Sequence, residues 1–129
     1  MPAVFERGTV VLVALGAGAR HEQRGTRPCI VVSDPEVTHD QRFPMVCVIP
    51  LTATPGEGAL YPQFSPGESG LRKRSYGLID QIRSIDKRRV IRAYGAVPTS
   101  ELEALDEGLR LFLGMAHGHN SYPTRQQLD

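Results

Sequence analysis

The sequence predicts a mainly-β fold, a small and strongly bent antiparallel barrel closed by one C-terminal helix. Three observations carry this. Short runs rich in β-branched residues recur along the chain, each bounded by Gly, Pro or Asp. A single helical period follows them near the C-terminus. At 129 residues and 40% hydrophobic content the chain fits one domain with its own core. No repeat, low-complexity tract or linker divides it, so residues 1–116 are expected to form the domain and residues 117–129 a polar tail.

The elements follow in order. "TVVLVAL" (Thr9–Leu15) reads as the first strand, ending at Gly16-Ala17-Gly18, and Gly16 to Thr26 as a loop. "PCIVVS" (Pro28–Ser33) is the second strand, with Pro tolerated at its opening position. "DPEVTHDQRFP" reads as a second loop, broken by Asp-Pro and Phe-Pro. "MVCVIPL" (Met45–Leu51) is the third strand. A Gly/Pro-rich stretch then holds one short edge strand near Ala59–Phe64. "YGLID" (Tyr76–Asp80) is a strand leading into "QIRSID", and the final strand lies near Val90–Val97. Leu102, Leu105, Leu109, Phe112 and Leu113 share one helical face. Ser100 with Glu103 fits a capping box, and Gly114 and Gly118 supply stop signals.

Net charge is only +1, but its distribution is uneven. Residues 1–92 hold 13 Lys/Arg against 9 Asp/Glu, and residues 93–129 hold 2 against 5. The sheet half is therefore basic and suits an anionic partner. Cys29 and Cys47 each sit in an apolar run and read as buried core thiols rather than a disulfide or metal pair. No run approaches the ~20 apolar residues of a membrane span, and Glu6 and Arg7 interrupt any signal-peptide pattern, so a cytoplasmic protein is expected. His117 and His119 have no third ligand placed by sequence, so no metal or other cofactor is expected.

One stretch needs a chemical explanation. "RHEQRGTRPCIVVS" (Arg20–Ser33) loads three arginines, a His, a Glu and a Gln directly ahead of a core strand. With "ERG" at the start, "IPLTAT", "GLRKRSYGLIDQIRSIDKRRV" and "LEALDEGLRLFLGM", it resembles the MazF/PemK toxins from about Arg7 to Met115, with the blocks in the same order. The resemblance implies an SH3-like barrel of the CcdB/PemK type, a homodimer, and a cognate antitoxin whose C-terminal segment is expected to be acidic with apolar anchors. It also implies sequence-specific, metal-independent cleavage of single-stranded RNA. The ribose 2′-OH attacks the neighbouring phosphate and leaves 2′,3′-cyclic phosphate and 5′-OH ends.

Such chemistry needs a base at the 2′-OH, an acid at the leaving oxygen, and positive charge on the phosphorane. The resemblance places Arg27, in the "RP" pair, on the phosphorane, with proton donation to the leaving oxygen as the stronger claim. Thr52 matches a family threonine whose hydroxyl can donate to a phosphate oxygen, and Thr54 is a weaker version of it. The base is left open among Glu22, His21 and Asp80, since a carboxylate raised by burial or a histidine near neutrality can each take the proton. Asp80 can equally orient Arg27 or Arg83 through a carboxylate–guanidinium pair. Gln23 and Arg24 are expected to contact RNA or to order the loop, and Gln81 and Arg83 to line the RNA groove or the dimer interface. Three features depart from the family, one being Arg20 in place of a common Gly before "HEQ". Ala14-Leu15-Gly16-Ala17 stands where many members read Asp-Leu-Asp-Pro, and Leu78 stands where some members carry the arginine that acts as the acid, which moves the acid role to Arg27.

Arg72, Lys73, Arg74, Lys87, Arg88 and Arg89 are expected to track the RNA backbone or to sit on solvated turns. Base stacking would fall to Tyr61, Phe64 or Tyr76. The same barrel type is used by CcdB-like toxins that bind DNA gyrase without cleaving anything, and by a degenerate barrel that only binds RNA or protein. Arg27, Thr52 and Asp80 together favour the nuclease.

Overall fold

In the computed structural model, which describes residues 5–115, seven antiparallel strands form one curled sheet. The strands are β1 (Thr9–Ala14), β2 (Thr26–Val31), β3 (Met45–Thr52), β4 (Gln63–Phe64), β5 (Ser75–Gly77), β6 (Arg83–Asp86) and β7 (Val90–Ala96). The order across the sheet is β4-β5-β3-β2-β1-β7, with β6 also pairing β3. β3 is the longest strand because both of its edges are used along its length. β2 takes one edge, while β6 pairs its first half (Val46 opposite Ile85) and β5 its end (Thr52 opposite Tyr76). The sheet curls into a half-barrel and helix α2 (Thr99–Leu113) packs on it.

β1 explains why the sheet curls around two cores. Val11 and Val13 point into one cluster with Phe5, Cys29, Val31, Val46, Val48 and Ile85. Val10, one residue away and so on the other face, joins a second cluster with Ile30, Ile49, Leu51, Phe64, Ile79, Leu105 and Leu109. A strand buried on both faces reads as an unbroken apolar run, which is how "TVVLVAL" reads. The Arg7–Asp106 ion pair, 2.6 Å and half-buried, ties the approach to β1 onto α2, while Arg7 Nε donates to Val32 O.

Several local expectations are corrected. The second loop contains a short helix, α1 (Pro35–His39), whose N-cap Asp34 accepts from the Glu36 N–H, with Pro35 opening the first turn. "RSID" is a strand, β6, where only a lead-in was expected. The strand expected over Tyr76–Asp80 stops at Gly77, and Ile79–Gln81 is a 3-10 turn that carries Asp80 out of the sheet. The Ser100/Glu103 capping box does not form. Pro98 is the N-cap, its φ set by the ring, and its carbonyl takes both the Glu101 and Leu102 N–H groups. Of the five residues on the expected helical face, Leu105 and Leu109 are buried and Leu102 partly so. Phe112 and Leu113 stay exposed. Gly114 ends the helix in the left-handed conformation, as expected. Gly118, His117, His119 and the tail lie outside the described residues. No described helix is long and apolar enough to cross a membrane.

Candidate active site

The β1–β2 loop closes on itself at both ends. Gly16 and Gly25 both take left-handed φ values (79° and 77°), open only to glycine at little cost. Those turns let Gly25 N donate to Gly16 O (2.8 Å) and Leu15 N to Gly25 O (2.9 Å). Arg89, from the turn before β7, donates to Ala14 O and Leu15 O at the same neck. Inside the loop, Glu22 Oε1 accepts from Ala19 N (2.7 Å). Glu22 therefore braces the loop. His21 and Arg24 present exposed side chains.

The loop is also held from outside. Gln81, on the 3-10 turn, accepts from the Gln23 N–H through Oε1 (2.7 Å) and donates from Nε2 to His21 O (2.9 Å). Each end of its side-chain amide thus has a partner inside the protein. The next link runs to Arg27, whose Nε donates to Arg24 O (3.1 Å).

Arg27 sits on β2 opposite Val13, and Thr52 ends β3. Although far apart in sequence, both line one open groove of about 390 Å³. Arg72, Lys73, Arg92 and Tyr94 stand on the same groove, over a floor that includes Leu12, Pro28, Leu51 and Leu71. Among the described residues it holds four cations, and no carboxylate lines it. Thr52 Oγ1 accepts from the Thr54 N–H (3.1 Å), so its own proton is left to be donated elsewhere. Thr52 also borders a second cavity of about 310 Å³, lined by Gln23, Thr54, Tyr61, Tyr76, Leu78 and Gln81. One threonine therefore stands between a cationic groove and a cavity walled by two tyrosines and two amides.

Asp80 lies on the wall of neither space. Its carboxylate accepts from Tyr61 O–H (3.2 Å), and among the described residues it makes no ion pair with Arg27 or Arg83. The Asp80 charge, and then the hydrogen bond itself, push the Tyr61 phenol above its ordinary pKa. Arg83 also lies off both spaces. Its charge acts instead on the Cys29 thiol, which burial pushes up to about 12 against the lowering pull of Arg83.

The basic clusters divide by role. Arg72 and Lys73 line the groove. Arg74 binds Gln63, Lys87 donates to Val37 O and Asp40 O behind α1, Arg88 pairs with Asp86, and Arg89 holds the loop neck. Those four are occupied with the fold. Phe64 is fully buried and belongs to the core, so it offers no stacking face, whereas Tyr61 and Tyr76 do face the second cavity. Arg92 and Tyr94 were not anticipated. Their spacing of two along a strand puts them on one face, and the Arg92 guanidinium sits 6.0 Å from the Tyr94 ring centre. That alternation was present in "IRAYG".

A curled mainly-β half-barrel with a C-terminal helix is the architecture of a known class of small toxins. The family model described as the PemK-like, MazF-like toxin of type II toxin-antitoxin systems matches residues 6–113, and the chain belongs to that family. It is 30% identical over 118 residues to endoribonuclease MazF9 of Mycobacterium tuberculosis, a match covering 87% of this chain and 98% of that one. To endoribonuclease PemK of Escherichia coli it is 36% identical over 86 residues, spanning 65% of this chain and 62% of that protein's length. The crystal structure of MazF from Deinococcus radiodurans superposes with a TM-score of 0.70 at 27% identity, covering 87% of this chain and 98% of that one. A MazE-MazF structure from the same organism gives 0.68 at 25% identity, over 88% and 98%.

Proposed function

We propose that the protein is a sequence-specific endoribonuclease toxin that cleaves single-stranded RNA without a metal ion. The ribose 2′-OH attacks the adjacent phosphorus as a base removes its proton. The P–O5′ bond breaks, the leaving 5′-oxygen gains a proton, and the products end in a 2′,3′-cyclic phosphate and a 5′-OH. The convergence of Arg27 and Thr52 on one groove with three further cations carries this reading. Arg27 stabilises the phosphorane and is the candidate donor to the leaving oxygen. Thr52 donates to a non-bridging oxygen. Arg72, Lys73 and Arg92 hold flanking phosphates.

The base is one of Glu22, His21 and Asp80. Glu22 and His21 share the loop that leads to Arg27, while Asp80 is already bonded to Tyr61. Gln23 and Thr54 border the second cavity, and we read them as contacts to a base beside the scissile phosphate, with the exposed Arg24 as a contact to the RNA backbone. The relatives named endoribonuclease support the activity. The MazE-MazF structure supports a cognate antitoxin. We take that antitoxin to lay an acidic segment into the cationic groove of a cytoplasmic homodimer, with residues 1–116 as the toxin domain.

The test is cleavage of a long unstructured RNA by the purified protein in EDTA, with the product ends mapped. Cuts at one short motif, leaving 5′-OH ends, are expected. Intact RNA would turn the reading toward a gyrase-binding or binding-only barrel.

A further inference from the structure

We infer that Gln81 is a positioning residue, which sets the β1–β2 loop and, through it, the guanidinium of Arg27. The inference rests on the reading of this groove as the nuclease site. Gln81 belongs to the 3-10 turn, which is itself anchored by two backbone bonds, Leu78 N to Pro50 O (2.9 Å) and Ile79 N to Leu60 O (3.2 Å). Its neighbour Ile79 is fully buried in the core against the helix. The turn is therefore one of the rigid parts of the molecule, and the loop is an exposed one.

The Gln81 amide joins the two. It takes one donor and one acceptor from the loop backbone, at Gln23 N and His21 O, so both bonds are independent of the loop's side-chain identity. An amide is suited to this because it donates and accepts at adjacent atoms, as a backbone peptide does. The Gln23 N–H lies on the peptide that follows Glu22, and the Arg24 carbonyl that accepts from Arg27 Nε lies two peptides further on. That carbonyl shares its peptide with Gly25 N, which the neck holds, so Gln81 on the tip side and the neck on the other together set the carbonyl that aims the arginine. Without Gln81 the loop keeps its neck, closed by Gly16, Gly25 and Arg89, but its tip loses its only side-chain anchor from outside the loop among the described residues. Misplacing a charge-stabilising group by about 1 Å costs on the order of 10²-fold in rate.

Two measurements on the Gln81→Ala variant decide the matter. The first needs no RNA: residue-resolved amide hydrogen exchange at Gln23 in the free protein. Protection of that N–H is expected to fall by about tenfold or more, while amides of β1 and β2 keep theirs. The second is single-turnover cleavage alongside RNA affinity. The rate is expected to drop about 10- to 100-fold with affinity nearly unchanged. Gln81→Glu keeps the acceptor for Gln23 N and loses the donor to His21 O, so it should fall between wild type and Gln81→Ala in both. Unchanged Gln23 exchange in Gln81→Ala would overturn the clamp. A loss of RNA affinity with an intact cleavage rate would make Gln81 an RNA contact instead, and would also overturn it. A wild-type protein that cuts no RNA, yet loses Gln23 protection on Gln81→Ala, would sink the nuclease reading and leave the clamp standing.

Discussion

Arg27 and Thr52 owe their candidacy to where two strand ends deliver them. Pro28 fixes the backbone after Arg27, and the β3–β5 pairing fixes Thr52 opposite Tyr76. Arg27→Ala is expected to lower the cleavage rate by about 10²–10³-fold, and Thr52→Ala by about tenfold or more, with fold retained by circular dichroism. Retained growth arrest on expression of Arg27→Ala would remove it from the site. Cys29 makes a different residue-scale prediction. Its thiol is held up to about 12, first by burial. The unfolded chain releases that proton near 9 and the folded one does not, so folding stability should fall as pH rises from about 9 toward 12. The slope from this one group is at most about 1.4 kcal/mol per pH unit. Urea titrations of wild type and Cys29→Ala across that range should differ in slope. Equal slopes would count against the buried thiol. The Cys47 thiol is also raised by burial but is only half-buried, so it should react with alkylating reagents first.

At the level of elements, the helix and the 3-10 turn meet at Gly108. A Cβ there would overlap both Ile79 Cδ1 and the carbonyl oxygen of Ala59. The side chain is missing because the backbone of another segment fills its place. Gly108→Ala gains helix propensity but forces α2 away from the turn, and a net loss of about 1–3 kcal/mol is expected in denaturant unfolding. Because the same turn carries Asp80 and Gln81, cleavage should weaken as well. An Ala variant at least as stable as wild type would show that the turn yields freely. Two other elements show how pairing overrides local signal. β6 has one buried apolar residue, Ile85, and no alternation to mark it. It is a strand because the edge of β3 offers unpaired peptide groups there. α1 carried a legible start in Asp34-Pro35-Glu36, an N-cap and first turn that also reads as a loop break.

For the whole molecule the weak net charge conceals a polar arrangement. The groove collects Arg27, Arg72, Lys73 and Arg92 from three separate stretches, whereas Glu101, Asp106 and Glu107 belong to the helix. RNA binding should therefore weaken steeply with salt. If three or four of these cations meet phosphates, a plot of log affinity against log salt should slope at about −2 to −3. Arg92→Gln should flatten that slope by about 0.7 and Arg88→Gln should leave it alone, since Arg88 is paired with Asp86 away from the groove. A flat salt profile would rule out the groove as a phosphate track.

The sequence by itself determined the class of fold, the extents of β1, β2 and β3 to within about two residues, the C-terminal helix with its Gly114 stop, and the toxin family. These depend on neighbours two to four positions apart, on turn residues, and on motifs that stay contiguous. It also contained Arg27 and Thr52, whose neighbours mark them. Only the tertiary structure decided that these two share a groove, that Arg92 and Tyr94 join them from β7, and that Lys87, Arg88 and Arg89 serve the fold. It alone placed Asp80 against Tyr61, and the Gln81 amide against the backbone of the β1–β2 loop. The reason is that a side chain's partner is chosen by strand register and chain crossing. Those are set by the burial of two whole cores, which no local run of residues encodes.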